Sequence, residues 1–514
     1  MDSISSSPFP LLLALPALLL MASLLYLLKQ LLWRSPCTPK KKPNYAPIAA
    51  TIFHQFWNLH RLLEFQTDLS RKYTTFRSLT PFRDYIFTVD PANVEYILKT
   101  NFANYAKGDV SYNIMSDLLG DGIFAVDGEK WSHQRKLASL QFSTKVSRDY
   151  SSVVFRSTAI KLASIISNAA RSSQMIEIQG LLMKSTLDSI FKVGFGVELD
   201  TLSGSNEEGK IFSKAFDDSS AQVMQRYFDV FWKVKRFLCI GSEARMKTSI
   251  KLVDDFVYKL IDAKIEQEST QGNVSMEKED ILSRLIIERA KNPGELSYKY
   301  LRDIVLNFVI AGRDTTAGTL SWFIYVLCKH PHVQEKVSQE VNEATKIKDE
   351  VTIDAFVESL VEESLNKMQY LHASLTETLR LYPAVPLEVK HCFSDDTLPD
   401  GFNVKKGDLV SFQPYPMGRM KFLWGEDAED FKPERWLNGD GVFVPESPFK
   451  FTAFQAGPRI CLGKDFAYTQ MKIFAATLVY FFKFKMWDEM KTVKQRTTLT
   501  LQIDGGLYLC AMER

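Results

Sequence analysis

FQAGPRICLG, from Phe454 to Gly463, sets one cysteine between two glycines, with Arg459 two positions before it. The run KDFAYTQMKIFAATLVYFF that follows reads as a helix. A thiolate is stabilised near a helix N-terminus and by neighbouring cations, and it is the form that ligates metals. Gly457 and Gly463 let backbone approach a flat group and present N–H groups to the Cys461 sulfur. A lone cysteine is ordinarily a small buried hydrophobe. The whole string F-x-x-G-x-R-x-C-x-G is more specific. With roughly 5% usage at each fixed position, it arises by chance about once in several thousand chains of this length.

Outward from that string the chain is an ordinary globular one. Its 514 residues are 46% hydrophobic and 24% charged, which excludes a largely disordered, collagen-like or disulfide-stapled protein. Sixty-three Lys+Arg against 61 Asp+Glu leave +2, no electrostatic footprint for nucleic acid. The 36 Phe, 19 Tyr and 8 Trp can build a large core and suit enclosing a large apolar ligand. Six cysteines, at 37, 239, 328, 392, 461 and 510, show no zinc spacing and read as reduced thiols. TTFRSL (74–79) and DYIFTV (84–89) read as paired strands, and Pro91 opens a helix. Helical periodicity then runs to about Tyr382, and extended pieces return at 401–412 and 497–509. The expected fold class is mainly α with small β-sheets clustered at the two ends of the chain.

Phe9 to Leu28 are twenty residues without a charge. As a helix they span about 30 Å, the thickness of a bilayer's hydrocarbon. Lys29, Arg34 and Lys40–Lys42 follow the apolar run, so the expectation is an uncleaved single-pass anchor with the rest of the chain cytosolic. The expected divisions are an N-terminal membrane anchor at 1–34, a proline-rich linker at 35–48 (Pro36, Pro39, Pro43, Pro47) and one large domain at 49–514.

Three further constellations carry chemistry. TETLR puts Glu377 and Arg380 three apart on a helix, a pair that is usually a solvated contact. LNFVIAGRDTTAGTLSWF (306–323) is an apolar helix carrying Gly312, Asp314 and Thr315. The bland reading is a threonine bonding back to the carbonyl four residues earlier. The functional reading is a notch at Gly312 for dioxygen and water, with Thr315 and Asp314 supplying protons. WSHQR places Trp131 and Arg135 on one helix face. Gly120-Asp-Gly-Ile-Phe-Ala125 matches a dinucleotide pattern but lacks the preceding strand that pattern needs.

The cysteine string resembles the haem-thiolate loop of the cytochrome P-450 monooxygenases, and A-G-x-D-T, W-x-x-x-R and T-E-T-L-R match that family's other motifs. The resemblance implies the cytochrome P-450 fold with a haem-thiolate monooxygenase domain over 49–514. It implies haem b (iron protoporphyrin IX) with Cys461 as axial metal ligand, the sulfur favouring O–O cleavage. Glu377, Arg380 and Arg435 (in FKPERW) would form a buried structural cluster holding the cysteine loop. Thr315 and Asp314 would be catalytic. Trp131, Arg135, Arg459 and Lys390 would bind the haem propionates, Lys390 as a point charge where many relatives carry arginine. Ile114, Phe124, Val309, Ala311, Val385 and Leu387 are the expected lining of the substrate pocket.

FSDDTLPDGF, PYPMGRMKFLWG and ESPFKFTAFQAGPRICLG look like plant fatty-acid hydroxylases, the clan numbered 86 and its family numbered 704. That likeness implies hydroxylation of an apolar C–H bond of a long-chain fatty acid, at or near the omega carbon. Dioxygen is the co-substrate, and electrons come from NADPH through a separate NADPH–cytochrome P-450 reductase at the endoplasmic reticulum membrane. Another lipid (a hormone conjugate, sterol or terpenoid) stays open as substrate. So do hydroperoxide rearrangement without a reductase and a membrane-anchored haem sensor or lipid-binding protein without turnover. Lys130, Lys136, Arg459 and Lys464 are the candidate docking face for the reductase. YFDVFWKVKRFLCI (227–240) reads first as an amphipathic surface helix; the functional alternative is a lid touching the membrane, whose Lys233, Lys235 and Arg236 could meet a fatty carboxylate. PCTPKKKP departs from the P-P-G-P hinge of many relatives.

Overall fold

Alternation and β-branching make TFRS and YIFT strands, β1 (Thr75–Ser78) and β2 (Tyr85–Thr88), antiparallel with Phe76 opposite Phe87. The computed structural model that shows this describes residues 51–80, 83–143, 145–270, 280–291, 297–347 and 351–514. The expected anchor and linker, 1–34 and 35–48, lie outside the described residues. Among the described residues no helix is long and apolar enough to cross a membrane. Asp90 caps the helix that Pro91 opens, accepting from the Ala92 N–H at 2.8 Å.

Three more strands complete the sheet: β3 (Tyr105–Ala106), β4 (Glu388–Cys392) and β5 (Leu409–Phe412), in the order β1-β2-β5-β4-β3. Only β2 and β5 run parallel. The C-terminal strand Tyr508–Glu513 pairs with Phe482–Met486 and with Ile176–Glu177. Among the described residues the strands cluster toward the chain's two ends apart from Ile176–Glu177, which, like β3, is absent from the expected strands. At two residues each they are too short for a period-2 pattern to reveal.

The helices that position the site are α1 (Gly108–Leu119), α2 (Gly128–Ser143), α3 (Lys145–Arg171), α4 (Ile178–Phe195), α5 (Glu207–Arg226), α6 (Trp232–Leu238) and α7 (Gly241–Thr270). They continue with α8 (Tyr298–Val309), α9 (Thr315–Lys329), α10 (Gln369–Leu381) and α11 (Lys464–Phe481). Side-chain caps begin several of them: Asn206 accepts from the Gly209 N–H at 2.8 Å, and Ser297 from the Tyr300 N–H at 3.1 Å. Two apolar cores result. One gathers α3, α9, α10 and α11; the other gathers α1, α5, α7 and α8. Between α8 and α9 the chain makes a π turn, Ile310–Asp314. Leu306 and Val309 before it and Ile310 at its start belong to the second core, and Ala317, Leu320 and Phe323 after it to the first. One long helix is thus interrupted at the seam between the cores, and π turns mark functional sites more often than ordinary helix does.

Candidate haem site

The cysteine loop is tied down by its own backbone. Cys461 N–H donates to Phe454 O at 2.8 Å, and Ile460 N–H to Gly457 O at 3.1 Å. Gly457 has φ +64°, and a Cβ there would stand 2.0 Å from Leu98 O, so only glycine fits. The Gly463 N–H reaches the Cys461 sulfur, at the start of α11. Burial pushes the Cys461 thiol up, while that N–H and the charges of Arg135 and Lys464 pull it down. Cys461 nonetheless has exposed surface. Enclosure strong enough to disfavour the thiolate, together with accessible area, describes a sulfur facing an internal opening.

Cations converge beside it. Arg135, on α2, is close enough that Cys461 acts on its charge. The Arg459 guanidinium lies 4.5 Å from the Trp131 ring centroid, and its Nη2 donates to Asp127 Oδ1 at 2.6 Å and Val126 O at 3.0 Å. Arg459 is therefore turned inward and does not belong to an outer docking face, whereas Lys130, Lys136 and Lys464 are exposed. Lys390 is 1% exposed and donates to Glu388 Oε1 at 3.0 Å. Lys107 holds the same carboxylate oxygen. Burial drives Lys390 down to about 8 despite that partner, whereas Glu388, which burial alone would raise, is held at about 2 by Lys107 and Lys390. Sequence reasoning missed Lys107 and Asp127, which lie far along the chain from their partners, and also Glu388, two residues before Lys390 on the same strand.

Four cations (Lys107, Arg135, Lys390, Arg459) thus meet two carboxylates (Asp127, Glu388), leaving two positive charges in excess. The Arg459 Nε is buried without any hydrogen-bond partner. A buried orphan donor is costly unless something accepts from it. Two excess charges and a free donor beside a cysteine sulfur fit haem b, with its one metal ligand from the protein and two acidic side arms.

The π turn shapes the other wall. Thr315 Oγ1 donates to Ala311 O at 2.6 Å, the back-bond of the bland reading, and it leaves the hydroxyl half-buried. Ala311 is exposed in the middle of an otherwise core-facing helix. The expected notch at Gly312 is not open. A Cβ there would meet Ile190 Cδ1 at 2.7 Å, so the missing side chain accommodates α4 and the opening lies at Ala311 and Thr315 instead. Asp314 is 1% exposed and faces away from that opening, toward Arg313 Nη1 at 3.3 Å. Arg313 in turn pairs with Asp217 of α5 at 2.5 Å and with Ser213 at 3.0 Å. Burial raises the Asp314 carboxyl, Arg313 opposes this, and Asp217 adds to it.

Glu377 and Arg380 form a bidentate pair, 2.7 Å at each contact, with neither side chain exposed. Arg435 Nε approaches Glu377 Oε1 at 3.4 Å, and the sequence reading missed two further donors: Trp436 Nε1 at 2.8 Å and the Lys432 N–H at 2.9 Å. Of the expected lining residues, Ile114 and Val309 are packed in the second core, Val385 and Leu387 are half-buried, and Phe124 and Ala311 are exposed. None of the six borders a cavity of about 1730 Å³ that lies along residues 59–64, 221–245 and 492–498.

Loop, cation cluster and interrupted helix together define a haem-thiolate protein. The family model described as Cytochrome P450 matches residues 43–510, and the chain belongs to that family. It is 54% identical over 476 residues to Cytochrome P450 704C1 of Pinus taeda, covering 90% of this chain and 91% of that protein. It is 46% identical over 502 residues to Cytochrome P450 704B1 of Arabidopsis thaliana, covering 92% and 95%. It is 40% identical over 433 residues to Cytochrome P450 86B1 of Arabidopsis thaliana, covering 83% of this chain and 77% of that protein. The protein is accordingly a monooxygenase, an oxidoreductase whose haem iron takes a thiolate ligand.

Proposed function

We propose that this monooxygenase hydroxylates a long-chain fatty acid at or near its omega carbon, with electrons passed from NADPH by a separate reductase. The observation that carries the monooxygenase chemistry is the Cys461 sulfur beside Arg135, which leads on to Arg459 and Lys390, with Thr315 on an interrupted helix. Likeness to the families numbered 704 and 86 supports the fatty-acid substrate. When bound, haem supplies the oxidant that replaces hydrogen by hydroxyl at an unactivated carbon.

The chain's own residues hold and move protons around it. Thr315 Oγ carries the exchangeable proton nearest the opening, parked on Ala311 O. Asp314, Arg313 and Asp217 form a hydrogen-bonded line from the core to α5, where the Asp217 side chain is 49% exposed. The Arg313 guanidinium stays charged and passes no proton itself, so the line positions Asp314, whose carboxyl, raised by burial, can hold one. Thr315→Ala is expected to cut product formation roughly 10- to 100-fold while NADPH oxidation continues. The check is the ratio of hydroxylated product to NADPH consumed, and equal ratios in mutant and wild type would defeat the proton role.

Lys130, Lys136 and Lys464 would receive an acidic face of the reductase. Attachment to the endoplasmic reticulum through residues 1–34, with the catalytic domain cytosolic, rests on the charge order around the apolar run. The apolar side chains of the lid, Val234 and Phe237 on α6 and Leu238 at its end, are more than half exposed and suit a lipid surface. The substrate test is reconstitution with reductase, NADPH and a panel of C12 to C22 fatty acids. Hydroxylation at or next to the terminal methyl is expected. Turnover of sterols or terpenoids alone would transfer the chemistry to another lipid.

A further inference from the structure

The two carboxylates among the four cations have different partners. Besides Arg459, Asp127 accepts from the Lys107 N–H at 3.0 Å and the Gly108 N–H at 2.8 Å, which fixes the chain at the start of α1. Glu388 accepts instead from two ammonium groups, Lys107 and Lys390, on the one oxygen Oε1. The strand period accounts for the second of these. Glu388 and Lys390 are alternate residues of β4, opposite Phe412 and Val410 of β5, and both are buried. Lys107 comes from 281 positions away and is the contact that joins α1 to this strand.

Glu388 acts beyond the two lysines. Burial lowers Arg459, and Asp127 and Glu388 oppose this. Burial raises the Tyr227 hydroxyl, which bonds to Ser111 just beyond α5, and Glu388 adds to the rise. Lys390 itself is faced by Glu388 on its own strand, by Lys107 ahead of α1 and by Arg459 of the cysteine loop. Among these groups it meets one anion and two cations. A buried ammonium in such company stays protonated only if the anion accompanies it. The acidic arms of haem would bring the cluster to four cations and four anions, so that losing one carboxylate leaves it at +1. Out of water, a single uncompensated charge acts strongly on its surroundings.

We propose that Glu388, acting through Lys390 and Lys107, sets how readily the haem iron accepts an electron. Its carboxylate keeps Lys390 charged in a buried place and offsets Lys107, so the charge around the oxidised iron stays balanced. Glu388 works through the two lysines and is thus a positioning residue. The role adds no chemical step, since the electron still comes from the reductase and Lys390 keeps its proton. It goes beyond the fatty-acid reading and holds whichever lipid is oxidised.

The test is a spectroelectrochemical titration of full-chain holoenzyme, without substrate, at pH 6 and pH 7.5. A carboxylate favours the more positive, oxidised iron. Glu388→Gln is therefore expected at pH 6 to shift the equilibrium toward reduced haem roughly tenfold, about 59 mV for one electron. Lys107→Gln should move it the opposite way, and the double variant should return it to near wild type. The pH arm has a definite sign. Burial, Lys107 and Arg459 pull the Lys390 amine down to about 8 against the opposing Glu388, and without Glu388 it falls further. In Glu388→Gln the amine is charged at pH 6 and sheds its proton as pH rises, so the excess over wild type should shrink at pH 7.5. The red-shifted carbon-monoxide band reports that each variant holds haem on its thiolate. Single variants that shift in the same direction, as a loosened pocket would give, overturn the proposal, and so does Glu388→Gln within about twofold of wild type at pH 6. Should Glu388→Gln fail to hold haem, Lys107→Gln decides: a shift toward oxidised haem supports the role, and an unshifted potential overturns it.

Discussion

Cys461→Ser is expected to remove the red-shifted Soret band of the reduced, carbon-monoxide-treated protein and to reduce monooxygenase turnover to background. Serine keeps the loop's backbone contacts, the Cys461 N–H to Phe454 O bond among them, because those need no sulfur. What it removes is an ionisable soft ligand, and a hydroxyl does not ionise under the same influences. The other described cysteines are poor substitutes. Burial drives Cys328 up to about 12 and Cys392 up to about 11, and the Cys392 Sγ is already engaged with Ser394 O at 2.9 Å. Cys461→His separates ligation from folding: it offers iron a nitrogen, so a bound haem should persist with the band shifted back toward that of histidine-ligated proteins. An unshifted band in Cys461→Ser would mean that the ligand is another residue, and the reading of the loop would fall.

Legibility in the sequence follows contact range. The cysteine loop, the interrupted helix and the TETLR pair could be read because each lies within one element, where spacing alone fixes which side chains meet. The β1–β2 hairpin was readable for the same reason. Partners brought from afar were not. Arg459 and Asp127 are 332 positions apart, and Lys107 and Glu388 are 281 apart, so no local pattern announces either pair. Lys390 is a different case: Glu388, two residues before it on β4, shares its face and was legible from the strand period, whereas Lys107, which holds the same carboxylate, was not. Gly312 misled differently. A glycine in a helix signals close approach but not what approaches, and here it is Ile190. Of the expected lining residues, Ile114 and Val309 also belong to the second core, since apolar residues of α1 and α8 can serve core and opening alike.

Glu377→Gln is expected to destabilise the protein by about 3–5 kcal/mol, the usual result of stripping one partner from a buried ion pair. Against typical stabilities of about 5–15 kcal/mol, that is a large share. The wild-type carboxylate accepts from Arg380 twice, from Trp436, from the Lys432 N–H and, more distantly, from Arg435. Glutamine retains one acceptor oxygen and turns an NH2 toward donors that cannot receive it. Arg380 would keep the carbonyls of Gly418, Ala428 and Asp430, but its buried charge would have no counter-ion. Arg435→Lys should be milder, since Arg435 is partly exposed and also reaches Asp427 at 3.1 Å. Urea denaturation of both variants measures the difference, and a midpoint for Glu377→Gln near that of wild type would show the cluster to be dispensable. The cluster also reaches the cysteine loop. Trp436 packs on Phe451 at 4.9 Å, three residues before the loop begins at Phe454. Losing the Trp436 acceptor therefore loosens the segment that aims Cys461, so haem content in Glu377→Gln should fall together with the denaturation midpoint. A structural role confined to α10 would lower the midpoint and leave the bound haem unchanged.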